Sequence, residues 1–129
     1  CRDQGIGVIP WSPLARGLLA RGEPGAGTTP RGQSDQLTGQ LYDHPGDADI
    51  IRTNAAVAAE RGVSPAETAM AWLLSRPGVT APIVGVTKLT QLEATVRALD
   101  LTLTDEEIAR LEAPYLPRPI RGWYEGRRS

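Results

Sequence analysis

Two short segments of the chain hold the residue types best suited to binding a small molecule. Residues 11–17 read Trp-Ser-Pro-Leu-Ala-Arg-Gly, and residues 85–91 read Gly-Val-Thr-Lys-Leu-Thr-Gln. Each segment follows an apolar run with the composition of a strand. Trp11 has a flat aromatic face that can pack on a ring, although a tryptophan at this position can equally line a core. We expect both segments to form loops at the carboxyl ends of strands, where ligand sites lie in α/β folds.

The second segment has the features of an anion site. Gly85 lets a ligand approach the backbone, and Thr87 and Lys88 add a hydroxyl and the only ammonium of a lysine in the chain. A helix is expected to follow, and a helix N-terminus has free N–H groups and the positive end of a dipole, which favour phosphate. The alternative is that Lys88 is an exposed loop lysine and that Thr90 simply caps the helix.

The elements that must position these loops can be read from periodicity and capping signals. Residues 5–11 and 79–84 are apolar without alternation, which is typical of parallel strands buried on both faces. A short helical turn is expected at 15–19. Capping and stop signals predict helices over 47–61, 65–75, 90–99 and 104–112, the last three opened by the capping boxes Ser64/Glu67, Thr90/Glu93 and Thr104/Glu107.

The order of strands and helices predicts an α/β fold with right-handed crossovers and a parallel sheet. Residues 21–46 are rich in Gly, Pro and polar residues and are expected to form a mobile loop, and residues 114–129 an irregular tail. Two strands are too few for a sheet buried on both faces. Because the chain opens with Cys1, it can be a processed precursor, a lipid-anchored protein or a fragment, and we expect a fragment.

Composition excludes several classes of function. The chain has 129 residues and a net charge of -1, so it lacks the net positive charge that attracts proteins to nucleic acid or to an anionic membrane surface. One Cys and one His exclude a disulfide framework and a structural zinc site. No apolar run approaches the roughly 20 residues that a membrane span needs. We expect a cytoplasmic protein without nucleic-acid or membrane partners.

Four segments in order resemble the aldo-keto reductase family. Residues 5–19 are similar to the seventh strand of its barrel and the following loop, and residues 63–74 to the helix before the eighth strand. Residues 82–93 resemble the eighth strand with the cofactor-binding helix, and residues 113–115 fit the C-terminal segment. The resemblance implies a partial (β/α)8 TIM barrel, with only the C-terminal βα units in this chain.

The resemblance also implies cofactor-binding roles for individual residues. Trp11 would stack on the nicotinamide, and Ser12 and Leu14 would lie along the pyrophosphate. The adenosine 2′-phosphate would be contacted by residues of the second loop, which favours NADP(H) over NAD. Thr95 stands where the family usually has an Asn that contacts adenine. The implied cofactor-binding set is Trp11, Ser12, Pro13, Leu14, Gly17, Gly85, Thr87, Lys88, Gln91 and Thr95, with no metal ligands.

The function implied is the cofactor-binding C-terminal part of an NADPH-dependent reductase, which transfers hydride between NADP(H) and an aldehyde or ketone. The family's catalytic Asp, Tyr, Lys and His come from the first half of the barrel, and no matching motif occurs here. His44 lies in a Gly/Pro-rich loop and is expected to be solvated rather than catalytic. We therefore expect the chain alone to be inactive and to self-associate through open sheet edges. Two alternatives stay open: a non-catalytic nucleotide-binding or interaction module, and a remnant without function.

Overall fold

The helices of the protein pack against one another to form a helix layer, and two short segments pair in parallel. The computed structural model describes residues 1–22, 41–42 and 44–117. Short 3₁₀-helices occupy Ala15–Gly17 and Ala98–Asp100. The α-helices named within these residues are α1 (Leu18–Arg21), α2 (Asp47–Arg61), α3 (Pro65–Leu74), α4 (Leu89–Arg97) and α5 (Asp105–Glu112). The predicted loop 21–46 and tail 114–129 lie mostly outside the described residues.

Three of the predicted helices have one boundary set by the signal read from the sequence. α2 ends at Gly62, which takes the left-handed conformation (φ 66°) that a glycine adopts without strain. At the start of α3 the Ser64 hydroxyl accepts a hydrogen bond from the Glu67 N–H, and the Glu67 carboxylate accepts one from the Ser64 N–H. Thr104 and Glu107 form the same reciprocal pair at the start of α5. These capping predictions are confirmed.

The predicted start of α4 was wrong. Thr90 was expected to cap this helix with Glu93 as its partner, but the helix begins at Leu89 and Lys88 is the capping residue. Gln91 takes the reciprocal role, because its side-chain oxygen accepts hydrogen bonds from the N–H groups of Thr87 and Lys88 at 2.9 and 3.2 Å. Two overlapping capping signals compete in this stretch, and the earlier one forms.

The two predicted strands pair in parallel but are shorter and more exposed than expected. Val8 pairs with Val79 and Trp11 with Ile83 as isolated parallel bridges, and no longer ladder forms among the described residues. The step is three residues on one segment and four on the other, so one extra residue lies between the bridges and interrupts the ladder. Ile9 and Ile83 are 62% and 55% exposed. The prediction of strands buried on both faces is therefore wrong for this chain.

The close approach of the two segments depends on Gly7. A Cβ atom on this residue would overlap the hydroxyl of Thr80 on the opposite segment. On either side of that contact, the N–H of Val8 donates to the Gly78 carbonyl at 2.9 Å and the N–H of Thr80 donates to the Val8 carbonyl at 2.8 Å. The missing side chain thus allows the backbones to reach hydrogen-bonding distance.

The core lies between the helices. Val57 and Ala58 of α2 and Met70 of α3 are almost fully buried, and these two helices pack against each other. Asn54 is buried beside them, and its side-chain amide donates to the carbonyls of Leu19 at 3.0 Å and Pro65 at 2.9 Å. One side chain of α2 thereby ties α1 and α3 together.

Charged pairs fasten α5 to the rest of the layer. Arg110 makes a two-pronged contact with Glu60 of α2, at 2.7 and 2.8 Å. Glu112 accepts hydrogen bonds from the Trp72 indole at 3.0 Å and from Arg76 at 2.6 Å, while the Arg76 guanidinium lies over the Trp72 ring. Because these pairs are partly solvated, each stabilises the fold only weakly.

Candidate functional site

The parallel pairing brings the two candidate loops to one edge of the molecule. The first segment ends at its bridge residue Trp11, which opens the loop 11–17, and the second ends at Ile83, two residues before the loop 85–91. The N–H of Ile83 donates to the Pro10 carbonyl at 2.9 Å, which fixes this end of the pair. Since the segments run in the same direction, both loops leave from their carboxyl ends.

The first loop is wound tightly by backbone conformations that side-chain-bearing residues rarely adopt. Ser12, Ala15 and Arg16 have φ values of 51°, 48° and 55°, and Gly17 continues the run at 93°. Local hydrogen bonds hold the winding, among them Ala15 N–H to the Ser12 carbonyl at 3.0 Å and Gly17 N–H to the Leu14 carbonyl at 2.8 Å. Left-handed non-glycine residues cost on the order of 1–3 kcal/mol each and cluster at ligand-binding loops.

Trp11 stands at the entrance to this loop with 65% of its surface exposed. Within the described residues, Trp11 does not line the core. An exposed indole plane can accept a flat aromatic ring by stacking. Ser12, Pro13, Leu14 and Gly17 are half-buried along the loop that follows.

The second loop presents a cation at a helix start. Residues 85–91 are all exposed. The side chain of Gln91 organises the turn, since its oxygen also lies 3.3 Å from the Thr87 hydroxyl. The Lys88 ammonium has no ion-pair or hydrogen-bond partner among the residues that the structure describes. A cation without an intramolecular partner beside a helix N-terminus is suited to an anionic group.

Two further predicted residues have different surroundings. A Cβ atom at Gly85 would meet nothing within 4 Å, so the backbone there is open to a ligand. Thr95 is half-buried one turn further along α4, and its hydroxyl donates to the Gln91 carbonyl at 2.9 Å. The donor of Thr95 is therefore used within the helix.

The loops are equipped to bind rather than to transfer protons. Arg16 and Lys88 are the titratable side chains of residues 11–17 and 85–91, and neither loop carries a carboxyl, imidazole or phenol group. His44 lies outside both loops, before α2, with its Nδ1 atom 2.8 Å from the Pro45 carbonyl oxygen. The described residues include no group of three or more His, Cys, Asp or Glu placed to hold a metal ion.

Sequence reasoning missed one contact that bears on α4. The carboxylate of Glu67, on α3, accepts a hydrogen bond from Arg97 at 2.7 Å. The sequence marks Glu67 only as a capping residue, and a partner 30 residues away leaves no local signal of its identity. A glutamate surrounded by small and apolar residues was the available hint, since a buried charge needs a partner.

A cavity of about 420 Å³ lies away from the two loops. It opens between α1, α2, α3 and α5 and is lined mainly by apolar side chains, Trp72 and Tyr115 among them. None of the predicted cofactor-binding residues contributes to its wall.

In the part of the chain that is described, no helix combines the length and apolarity needed to cross a membrane.

The chain belongs to the aldo/keto reductase family, whose sequence profile matches residues 1–115. Membership in this family implies the TIM-barrel fold class.

Curated relatives agree with this assignment. The chain is 40% identical over 122 residues to a Schizosaccharomyces pombe protein named as an aryl-alcohol dehydrogenase, covering 95% of this chain and 34% of the relative. It is 39% identical over 124 residues to versiconal hemiacetal acetate reductase of Aspergillus parasiticus, covering 93% and 35%. It is 38% identical over 125 residues to an aldo-keto reductase of Alternaria alternata, covering 95% and 32%. The chain spans about a third of the length of these relatives.

Proposed function

We propose that this chain is the C-terminal, cofactor-binding part of an NADP(H)-dependent oxidoreductase that interconverts carbonyl compounds and alcohols. The observation that carries the proposal is the parallel Trp11–Ile83 bridge, because the loop that begins with the exposed Trp11 and the loop that contains Lys88 then follow the same ends of two paired segments. Family membership and relatives named as reductases and dehydrogenases support the same reaction class.

The residues of both loops fit a dinucleotide with a phosphate on its adenosine ribose. When bound, the cofactor supplies a hydride to the carbonyl carbon of an aldehyde or ketone. Trp11 would hold the nicotinamide ring by stacking, and the wound backbone that follows would accommodate the pyrophosphate. Lys88 would bind the 2′-phosphate, with Thr87 and Gln91 completing that end of the site.

The proposal is tested by titrating the chain with NADPH and NADH and following tryptophan fluorescence. Lys88→Ala should weaken the binding of NADPH by about tenfold or more and the binding of NADH by much less. The reason is that a charged hydrogen bond contributes roughly 1.5–3 kcal/mol and only NADPH has the 2′-phosphate. Arg52→Ala is the matched control, since it removes one exposed positive charge from α2. Equal losses of affinity for NADPH and NADH in Lys88→Ala, or no binding of NADPH by the unaltered chain, would refute the proposal.

The carbonyl substrate would be processed only with residues that this chain does not provide. General acid catalysis contributes about 10²–10⁴-fold, and neither loop has a proton donor suited to a carbonyl oxygen. The purified chain should therefore not oxidise NADPH with aldehydes or ketones. A turnover clearly above the background rate would contradict this part of the proposal.

A further inference from the structure

Helix α4 is fastened to the rest of the protein at the end far from its proposed ligand. None of its own residues is buried, and Leu89, Leu92 and Val96 are exposed. The residue that follows the helix, Ala98, is only 2% exposed. The firm attachment of α4 therefore lies at its C-terminal end, whereas the N-terminal end carries Lys88.

One ion pair joins the C-terminal end of α4 to α3. The Arg97 Nε atom donates to Glu67 Oε1 at 2.7 Å. Within residues 1–22, 41–42 and 44–117, no other side-chain hydrogen bond or ion pair joins α4 to a different helix. The Glu67 side chain is 8% exposed, and Arg97 reaches it from the surface with 58% of its side chain exposed.

The same carboxylate also holds the start of α3. Its second oxygen, Oε2, accepts hydrogen bonds from the Ser64 N–H at 2.9 Å and the Ser64 hydroxyl at 2.5 Å. Since both oxygens are engaged, the carboxylate cannot rotate without losing a partner. Arg97 thus docks on an acceptor that is itself fixed by the capping box.

We infer that Glu67 is a positioning residue for the 2′-phosphate end of the cofactor site, acting through Arg97 to set the direction of α4. The inference rests on the proposed function above. Lys88 and Arg97 are separated by nine residues, or about 14 Å of helix. A tilt of about 5° at the fastened end would move the other end by about 1 Å, which is enough to spoil a hydrogen bond to phosphate.

The experiment compares Glu67→Gln and Arg97→Gln with a matched control. Glu60→Gln breaks the Arg110 ion pair, which has the same 2.7 Å length but joins α2 to α5. Arg97→Gln leaves the capping box of α3 intact, so it separates loss of the ion pair from loss of the cap. NADPH and NADH affinities are measured on the full chain, together with amide hydrogen exchange over residues 89–97.

Both variants should weaken the binding of NADPH by about tenfold, which is the scale of one lost charge-assisted hydrogen bond, and the binding of NADH by less than about twofold. Exchange in α4 should accelerate in both, the double variant should bind no worse than either single one, and Arg97→Lys should recover part of the affinity. Glu60→Gln should change neither cofactor preference nor exchange in α4.

Two results would overturn the argument at different points. If Glu67→Gln and Arg97→Gln keep the preference for NADPH while α4 exchanges faster, the ion pair is structural only and the inference fails. If the unaltered chain does not bind NADPH, or Lys88→Ala does not change its preference, the proposed function itself fails.

Discussion

Acidification should weaken the fold through Glu67. Burial raises the pKa of this carboxyl, but hydrogen bonds from Arg97 and Ser64 outweigh burial and lower the pKa from 4.5 to about 2. A group whose folded-state pKa is depressed stabilises the protein above its unfolded-state pKa. Its contribution is therefore complete above about pH 5 and is lost as the pH falls toward 2.

The magnitude follows from the difference between the two pKa values. A drop from 4.5 to about 2 corresponds to about 3 kcal/mol at neutral pH. Because Arg97 is more than half exposed, solvent screening reduces the expected contribution to about 1–2 kcal/mol.

The assay is urea unfolding of the unaltered chain and of Glu67→Gln between about pH 7 and pH 2.5. The difference in the free energy of unfolding should be largest at neutral pH and should shrink steadily below pH 5. Glu60→Gln is the control, because a side-chain hydrogen bond from Arg110 lowers the pKa of Glu60 as well, but that carboxylate lies at the surface. A Glu67→Gln difference that stays constant with pH would show that the carboxylate acts through shape rather than through charge.

Three further perturbations probe the helix layer, the parallel segments and the solution state. Asn54→Ala should lower the free energy of unfolding by about 2 kcal/mol, since it removes a buried side chain and leaves two half-buried carbonyl oxygens without this donor. A loss below about 0.5 kcal/mol in urea unfolding would contradict this. Gly7→Ala should force the parallel segments apart and speed hydrogen exchange at the Thr80 amide, whereas Gly85→Ala, which has open space, should not. Ultracentrifugation should show concentration-dependent association through the exposed apolar segments, and the thermal melt should be broad. A sharp thermal melt of a chain that stays monomeric at every concentration would contradict both expectations.

Helix boundaries were predictable where the deciding interaction is local. Ser64 and Glu67 are three residues apart, and the bonds that start α3 form between them alone. At α4 the same rule failed because Gln91 and Glu93 could both serve as capping partners in overlapping registers, and propensity does not rank them.

Burial and the side-chain contacts between helices could not be read from the sequence. The apolar composition of residues 5–11 predicts a strand but not what covers it, and Ile9 is largely exposed. The Trp11–Ile83 pairing places both candidate loops at one edge, which the order of elements already predicted. The Glu67–Arg97 pair joins two helices, and the sequence around Glu67 indicates that this carboxylate needs a partner but not that the partner is Arg97.

The contrast between the fastened helix layer and the lightly held parallel segments divides the molecule into parts of unequal local stability. Asn54 and the pair Arg110–Glu60 tie helices only to helices or to the turns beside them. The segments that carry the loops rely on two bridges. Opening of the segments should therefore cost much less free energy than opening of the helices, and the two should form separate cooperative units. Any ligand held by both loops must then supply the ordering free energy of the segments, so its measured affinity is lower than its contacts alone would give.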